Sequence, residues 1–209
     1  MKLIENMKWR YATKSFNPDK IVSDNDIKLL KEAVRLTPTS YGLQPFKVLI
    51  ITDKSLKKEL LPFTYNQKQV VEASHLFVFT NFTKISAEYL KHVFQLKAKI
   101  QGKPYSEFEN YTNRLIDTFE KKSTEEIKEY TAYQTYMALE TLLLAAAELK
   151  IDTCAIGGFM PEKYNEILDL DKQNLNATVI AAVGYRSAKD KNQFLTKFRL
   201  PEEELFFEV

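Results

Sequence analysis

The sequence predicts an α+β fold in which a small sheet lies among many helices. Three runs of apolar and β-branched residues are typical of buried strands: FKVLIIT at 46–52, HLFVFTN at 75–81 and ATVIAAVGY at 177–185. Helical stretches separate these runs along the chain. A length of 209 residues suits one domain spanning residues 1–209, which can fold without disulfides or a structural metal.

Capping residues mark several helix boundaries. Residues 24–36 carry apolar side chains close to helical period, with Ser23 as the N-cap and Pro38 as the stop. A stretch rich in Lys and Glu between the first two strands is helical as well. Residues 151–159 predict a short strand followed by a Gly-Gly turn, and Pro161 then begins another helix at its first position.

A long helix begins with the capping box Ser123-Thr124-Glu125-Glu126 and runs to about Leu149. Its second half, YMALETLLLAAAEL, is apolar nearly all round, which predicts burial on more than one side. Two interpretations stay open. The helix is central to the core of one chain, or it lies at a subunit interface.

Two other segments also leave alternatives open. Residues 84–121 look helical and mix charges with aromatics, which fits a peripheral helical pair packed over its aromatics or a lid facing a ligand. The C-terminal arm, residues 195–209, carries large apolar groups that either cap their own domain or reach a partner. These groups are Leu205, Phe206, Phe207 and Val209.

The composition excludes several classes of function. Thirty basic and 28 acidic residues give a net charge of +2, which provides no reason to expect nucleic acid as a partner. The five glycines form neither a dinucleotide-binding fingerprint nor a phosphate loop. One cysteine and two histidines exclude a Cys- or His-rich zinc site, and no Ser-His-Asp arrangement is legible.

The sequence also predicts where the protein resides. No apolar run is long enough for a signal peptide or a membrane-spanning helix, so no membrane partner is expected. The single thiol, Cys154, fits a reducing compartment. We therefore expect a cytoplasmic protein.

Two basic pairs are candidate phosphate ligands. Arg10 and Lys14 are four residues apart, while Lys197 and Arg199 alternate around Phe198 and so share one side of an extended strand. Either pair alone fits a solvated surface. Two pairs that converge would neutralise a dianionic phosphate, with arginine making bidentate contacts.

Hydroxyl and amide side chains are further candidates. Pro38-Thr39-Ser40 and Gln44-Pro45 flank Gly42, a pattern that fits either plain turn chemistry or a polar ligand pocket. Gln134 lies in the long apolar helix, where a buried amide needs partners, and it is either a satisfied core residue or a ligand contact.

Amides and glycines at two other places complete the set. Asn66 and Gln69 precede the second strand, and an amide there can read the donor and acceptor edge of a pyrimidine ring. Gly157 and Gly158 form only a turn, or they let backbone N–H groups approach a flat ligand closely.

Taken in order, these motifs resemble the nitroreductase family of FMN-dependent NAD(P)H oxidoreductases, in particular its oxygen-insensitive, dihydropteridine-reductase-like branch. The match covers nearly the whole chain, and seven motifs in the right order make it specific, with the variable helical segment 84–121 as the exception. The matching motifs are Arg10–Phe16, Thr37–Ser40 with Gln44–Phe46, Asn66 with Glu72–His75, Gln134, Ile156–Phe159, Val183–Tyr185 and Lys197–Pro201.

The resemblance implies a homodimer with FMN at the subunit interface and a mixed central sheet whose last strand comes from the partner's C-terminal arm. It implies Arg10, Lys197 and Arg199 as FMN phosphate ligands. It also implies Lys14 as the catalytic residue that stabilises the reduced flavin near N1 and O2. The other implied cofactor-binding residues are Tyr11, Ala12, Pro38, Thr39, Ser40, Asn66, Gln69, Gln134, Ile156, Gly157 and Gly158.

The resemblance assigns finer roles to some of these residues. Thr39 and Ser40 come from the other subunit, and Asn66 reads the pyrimidine edge of the flavin. The backbone N–H groups of Gly157 and Gly158 donate to flavin N5 and O4.

The implied activity is hydride transfer from NADH or NADPH through FMN, by a ping-pong mechanism, to nitroaromatic, quinone or flavin-like acceptors. Three positions depart from the family pattern: Ala12 replaces a frequent serine, Gln69 the usual lysine of the branch, and Gly157 a common glutamate. These changes affect the expected acceptor more than the cofactor.

Three alternatives to this activity remain from the sequence. The chain is a reductase specialised for an enone or a pteridine, or a flavin-binding sensor or storage protein without turnover. The third alternative is a helical interaction module that uses residues 84–121.

Overall fold

A four-stranded sheet is the centre of the fold. The computed structural model of the chain describes residues 1–209, with β1 (Phe46–Ile51), β2 (His75–Phe82), β3 (Asp152–Ile156) and β4 (Leu175–Gly184). The order is β1-β2-β4-β3, and every neighbouring pair is antiparallel. All four predicted strands are confirmed. Within one chain the only parallel pairing is the bridge between Ala12 and Thr153, so the exchanged strand of the expected mixed sheet stays a prediction.

Helices cover both faces of the sheet, which confirms the predicted α+β class. None of them combines the length and the apolar character needed to cross a bilayer. The helices are α1 (Lys2–Trp9), α2 (Asp24–Arg35), α3 (Lys54–Leu60), α4 (Gln69–Glu72), α5 (Ala87–Ile100), α6 (Ser106–Glu120), α7 (Thr124–Glu148), α8 (Pro161–Ile167) and α9 (Glu202–Leu205).

Alternation along the strands divides the core into two layers. In β2, Leu76 and Val78 pack with residues of α3, α4 and α8, while Phe77 and Phe79 pack with α2 and α7. This follows from the two-residue period of a strand, because successive side chains point to opposite faces. The β2 and β4 strands are therefore buried on both faces and read as nearly continuous apolar runs.

The long helix α7 has the predicted capping box, in which Ser123 and Glu126 satisfy each other's backbone N–H groups. It is central to one core layer, as one of the two interpretations expected. It also keeps Tyr133, Tyr136 and Met137 exposed along one side. Residues at this spacing share a helix face, so α7 carries an apolar stripe that its own chain does not cover.

The helical pair α5–α6 packs over its own aromatics. Phe94 and Phe119 are buried in a separate cluster with Leu43 of the preceding loop, and the Tyr89 hydroxyl donates to the Leu43 carbonyl at 2.6 Å. This arrangement fits the interpretation of a peripheral pair. Tyr111 stands at its rim, edge-on to Tyr41 with ring centroids 6.3 Å apart, so a lid role for residues 84–121 stays a prediction.

The two chain ends lie on the surface. Helix α1, which the sequence did not predict, exposes Leu3, Ile4 and Met7. The C-terminal arm leaves its four large apolar groups, from Leu205 to Val209, exposed, so they do not cap their own domain. Both segments present apolar surface that a single chain leaves uncovered.

Candidate active site

The two predicted basic pairs converge on one cleft, which we call the basic cleft. It has a volume of about 420 Å³ and lies between the end of α1 and the segment before the C-terminal helix. Five cations line it and no carboxylate does: Lys8, Arg10, Lys14, Lys197 and Arg199. Such a concentration of positive charge suits a polyanionic ligand.

Arg10 ends helix α1 in an extended conformation, and its side chain is half-buried. Burial lowers the pKa of its guanidinium, partly offset by Glu140, and Arg199 lowers the pKa further. Its Nε is buried and has no hydrogen-bond partner. Because a buried donor without an acceptor is costly, this nitrogen is a candidate donor to an anionic ligand.

Lys197 is held in place by the end of α1. Its ammonium donates to the carbonyl of Met7 at 2.6 Å and also to the carbonyl of Arg10. Burial lowers its pKa, and the charges of Arg10 and Arg199 lower it further. A cation at a helix C-terminus is favourable, so this contact orients the amine and keeps a third N–H for a ligand.

Lys14 follows Arg10 on the same segment and is exposed. The Thr13 N–H donates to the Thr153 carbonyl at 3.2 Å, which places residues 12–14 beside β3. The Lys14 Nζ is 3.9 Å from the Sγ of Cys154. Burial raises the pKa of that thiol although Lys14 opposes the shift, and the amide of Gln69 lies close to the same sulfur.

The turn after β3 offers free backbone donors. Gly157 and Gly158 are exposed, and their N–H groups have no partner in the chain. Side-chain atoms added at Gly157 would meet nothing within 4 Å, so this backbone faces open space. Gln67, which the sequence analysis did not single out, fixes the turn by donating from Nε2 to the Gly158 carbonyl at 2.8 Å.

Asn66 lies next to this contact. It is exposed and adopts the left-handed conformation with φ 56°, which asparagine tolerates better than most residues. Ile156 is buried at the end of β3. Together these contacts bring the predicted residues of segments 10–14, 66–69, 156–158 and 197–199 to one side of the sheet.

The remaining predicted residues form a second group, which we call the Ser40 corner: Pro38, Thr39, Ser40 and Gln134. Buried Gln134 accepts from the Ser40 N–H at 2.9 Å and donates to the Tyr130 carbonyl at 3.1 Å. The Thr39 hydroxyl accepts from the Gln44 N–H at 2.9 Å. Gln134 is therefore a satisfied core amide, and no hydrogen bond joins this corner to the basic cleft.

An ion pair that the sequence analysis missed supports the wall of the cleft. Arg186 donates to the Asp152 carboxylate at 2.7 Å and stacks between Trp9 and Tyr11, at 4.5 and 4.6 Å from their ring centres. Burial raises the pKa of the Tyr11 hydroxyl to about 12. No sequence spacing reveals this contact, because Asp152 and Arg186 are 34 residues apart and both rings lie near the start of the chain.

A model of the nitroreductase family matches residues 7–185. The chain belongs to the nitroreductase family. A relative from Staphylococcus haemolyticus, provisionally named an NAD(P)H nitroreductase, is 31% identical and covers 97% of this chain and 95% of its own length. A Bacillus subtilis relative with a similar provisional name, YfkO, is also 31% identical, over 88% of each chain.

Solved structures agree on the fold of this nitroreductase family member. A protein from Exiguobacterium sibiricum, described as a nitroreductase in complex with FMN, has a TM-score of 0.88 at 18% identity. The match covers 100% of this chain and 98% of that one. The likeness confirms the nitroreductase-like arrangement of sheet and helices.

Proposed function

We propose that this chain is an FMN-dependent NAD(P)H oxidoreductase that reduces nitroaromatic, quinone or flavin-like acceptors in a ping-pong cycle. The observation that carries the proposal is the basic cleft, with its unpartnered buried Arg10 nitrogen and no carboxylate in its lining. The provisional names of the curated relatives support the nicotinamide donor, and the FMN complex of the Exiguobacterium sibiricum protein supports the cofactor.

The donors of this chain fit FMN from its phosphate to its ring. Arg10, Lys197 and Arg199 would hold the dianionic phosphate, because charge-assisted hydrogen bonds are the strong ones. The free N–H groups of Gly157 and Gly158 would face the redox edge of the ring, and the amides of Asn66 and Gln69 its pyrimidine edge. A Cβ added at Gly157 would meet nothing within 4 Å, so the backbone there is open to a ligand.

Bound FMN supplies the hydride chemistry, and the protein binds the cofactor and tunes it. Lys14 has the catalytic part of that task, since a fixed cation stabilises negative charge that develops on a reduced ring. The buried Cys154 beneath its amine excludes water on one side. The acceptor then occupies the position that the nicotinamide has left.

We infer that the working form is a homodimer. The basic cleft and the Ser40 corner are separate within one chain, whereas the expected pocket needs both. Apolar side chains on α1, on α7 and along residues 195–209 are exposed, and a second copy would bury them. A dimer in which each Ser40 corner completes the partner's pocket accounts for both observations.

The first experiment is a visible absorption spectrum of the purified protein, followed by anaerobic addition of NADPH or NADH. We expect the two bands of an oxidised flavin, and we expect them to bleach. Steady-state oxidation of the nicotinamide with menadione or a nitrofuran then distinguishes an enzyme from a storage protein. Absence of flavin bands even after incubation with FMN would refute the proposal.

A further inference from the structure

We propose that Asp190 is a positioning residue that joins the two basic segments of the cleft and fixes Lys14 beside the cofactor. The inference rests on the proposed function of the cleft. Asp190 follows β4 in the chain and lies just before the segment that carries Lys197 and Arg199. It belongs to none of the motifs that predicted the site.

The Asp190 carboxylate is surrounded by donors. Its Oδ2 accepts from the Lys14 N–H at 2.8 Å, the Ser15 N–H at 3.2 Å and the Tyr11 hydroxyl at 3.1 Å. Its Oδ1 accepts from the Asn192 N–H at 3.0 Å. The residue is only 3% exposed, so these contacts replace the water that an aspartate otherwise needs.

These contacts join distant parts of the sequence. Tyr11, Lys14 and Ser15 belong to the N-terminal segment of the cleft. Asn192 lies in a short 3-10 turn, Lys191–Phe194, which Asp190 caps and which leads to Lys197. Three of the four donors converge on Oδ2 and the fourth binds Oδ1, so the carboxylate contacts both segments at once. Asp190 thereby links the N-terminal segment of the basic cleft to the segment that leads to Lys197 and Arg199.

Lys14 depends on this link more than its neighbours do. Its backbone N–H bonds to Asp190, and its carbonyl accepts from no other group in the chain. Ser15 and Asn17 have additional backbone contacts, to Ser187 and Tyr185. Loss of the carboxylate would therefore release the Lys14 backbone first and move its amine away from Cys154 and the ring site.

Electrostatics agree with this geometry. Burial acts to raise the pKa of Asp190, but hydrogen bonds from the backbone of Lys14, Asn192 and Ser15 outweigh it and lower the pKa below its ordinary value. The carboxylate is thus ionised at neutral pH. An amide in its place would bring an NH₂ group against backbone N–H donors.

Two substitutions separate positioning from turn capping. Asp190→Asn keeps the size and introduces an opposed donor. Asp190→Ser keeps a good cap for the 191–194 turn but is too short to bond the Lys14 N–H as well. Asp53→Asn is the matched control, because Asp53 caps helix α3 through the Leu56 N–H and lies outside the cleft.

The experiment measures three properties of each protein: the melting temperature of the apoprotein, its FMN dissociation constant, and the midpoint potential of bound FMN. We expect both Asp190 variants to weaken FMN binding about tenfold, or about 1.4 kcal/mol. We also expect a more negative potential, because the cation that stabilises the reduced ring is displaced. Asp53→Asn should match the wild type in the last two properties.

A double-mutant cycle with Lys14→Ala decides the mechanism. If Asp190 acts through Lys14, Asp190→Ser should shift the potential little further once Lys14 is already alanine. Additive shifts, or an unchanged potential with a lowered melting temperature, would show that Asp190 is only structural. Failure of both Asp190 variants to fold would overturn the proposal in the same way.

The outcome also separates this inference from the proposed function. Wild-type protein that binds no FMN would refute the function itself. Wild-type protein that binds FMN, together with Asp190 variants of unchanged affinity and potential, would refute the positioning role alone.

Discussion

The basic cleft and the Ser40 corner use their polar groups in opposite ways. The Arg10 Nε in the cleft, and the N–H groups of Gly157 and Gly158 in the turn after β3, have no partner in the chain. In the corner, the side chains of Gln134 and Thr39 accept hydrogen bonds from backbone N–H groups of the same chain. The corner is therefore held by hydrogen bonds within its own chain, whereas the cleft and the turn after β3 keep donors free for the proposed ligand.

That difference has a consequence for assembly. Ser40 and the neighbouring Tyr41 are exposed at this corner, so they can contact a site formed elsewhere. The exposed stripe on α7 begins one residue before Gln134. The corner therefore lies where a second copy would join.

The largest effect on FMN binding is expected from disrupting the proposed dimer interface. Met137→Glu should place a charge in the proposed apolar interface, convert the dimer to monomer and abolish FMN retention, because each pocket loses its partner residues. Analytical ultracentrifugation and the flavin spectrum measure both. Ile100→Glu, at the exposed last residue of α5, is the control and should change neither. A Met137→Glu dimer that keeps its flavin would contradict the assembly.

A smaller loss of FMN affinity is expected from a substitution in the basic cleft. Arg10→Gln removes a charged donor whose Nε is buried and unpartnered, and a charge-assisted bond contributes about 1.5–3 kcal/mol. FMN affinity, measured by quenching of flavin fluorescence, should fall about 10- to 100-fold. Arg35→Gln, which removes an exposed arginine paired with Glu32, should leave affinity unchanged. Equal affinities for both variants would exclude Arg10 as a phosphate ligand.

Lys14→Ala should act on reduction rather than on binding. The substitution removes a fixed positive charge without cutting the backbone contact to Asp190, so stability should hold. Stopped-flow bleaching of the flavin by NADPH should slow about tenfold or more. Lys189→Ala, an exposed lysine beside the same segment, is the control. Full turnover and full flavin affinity in Lys14→Ala would remove its catalytic role.

Much of the fold follows from local patterns. Runs of apolar residues predict the strands at 46–51 and 75–82, and one capping box predicts the start of helix α7. Helix α1 is different. It docks on α7 through contacts of Lys2 and Asn6 with Glu148, which lie more than 140 positions away. No local pattern could have predicted that docking.

The candidate site likewise contains residues that the sequence predicts and residues that it does not. Arg10 and Lys197 were visible as basic pairs, but their convergence depends on the path of the whole chain. Gln67 and Asp190 were not visible, because their partners lie 91 and 176 residues away. Residues that bind a ligand directly can be predicted from their type and spacing in the sequence. Residues that hold those binding side chains in place can be found only from the fold.

The smallest effect concerns pH. Hydrogen bonds lower the pKa of Asp190, so its contribution to stability is present above the ordinary carboxyl pKa and is lost as pH falls through the lowered value. Asp190→Asn cannot ionise. The difference in unfolding free energy between wild-type and variant apoprotein, about 1 kcal/mol, should be constant from neutral pH to about pH 5 and shrink below about pH 4. Urea unfolding at several pH values measures it. A difference that stays the same at acidic pH would mean that the carboxylate charge contributes nothing, and that only the shape of the side chain holds the two basic segments together.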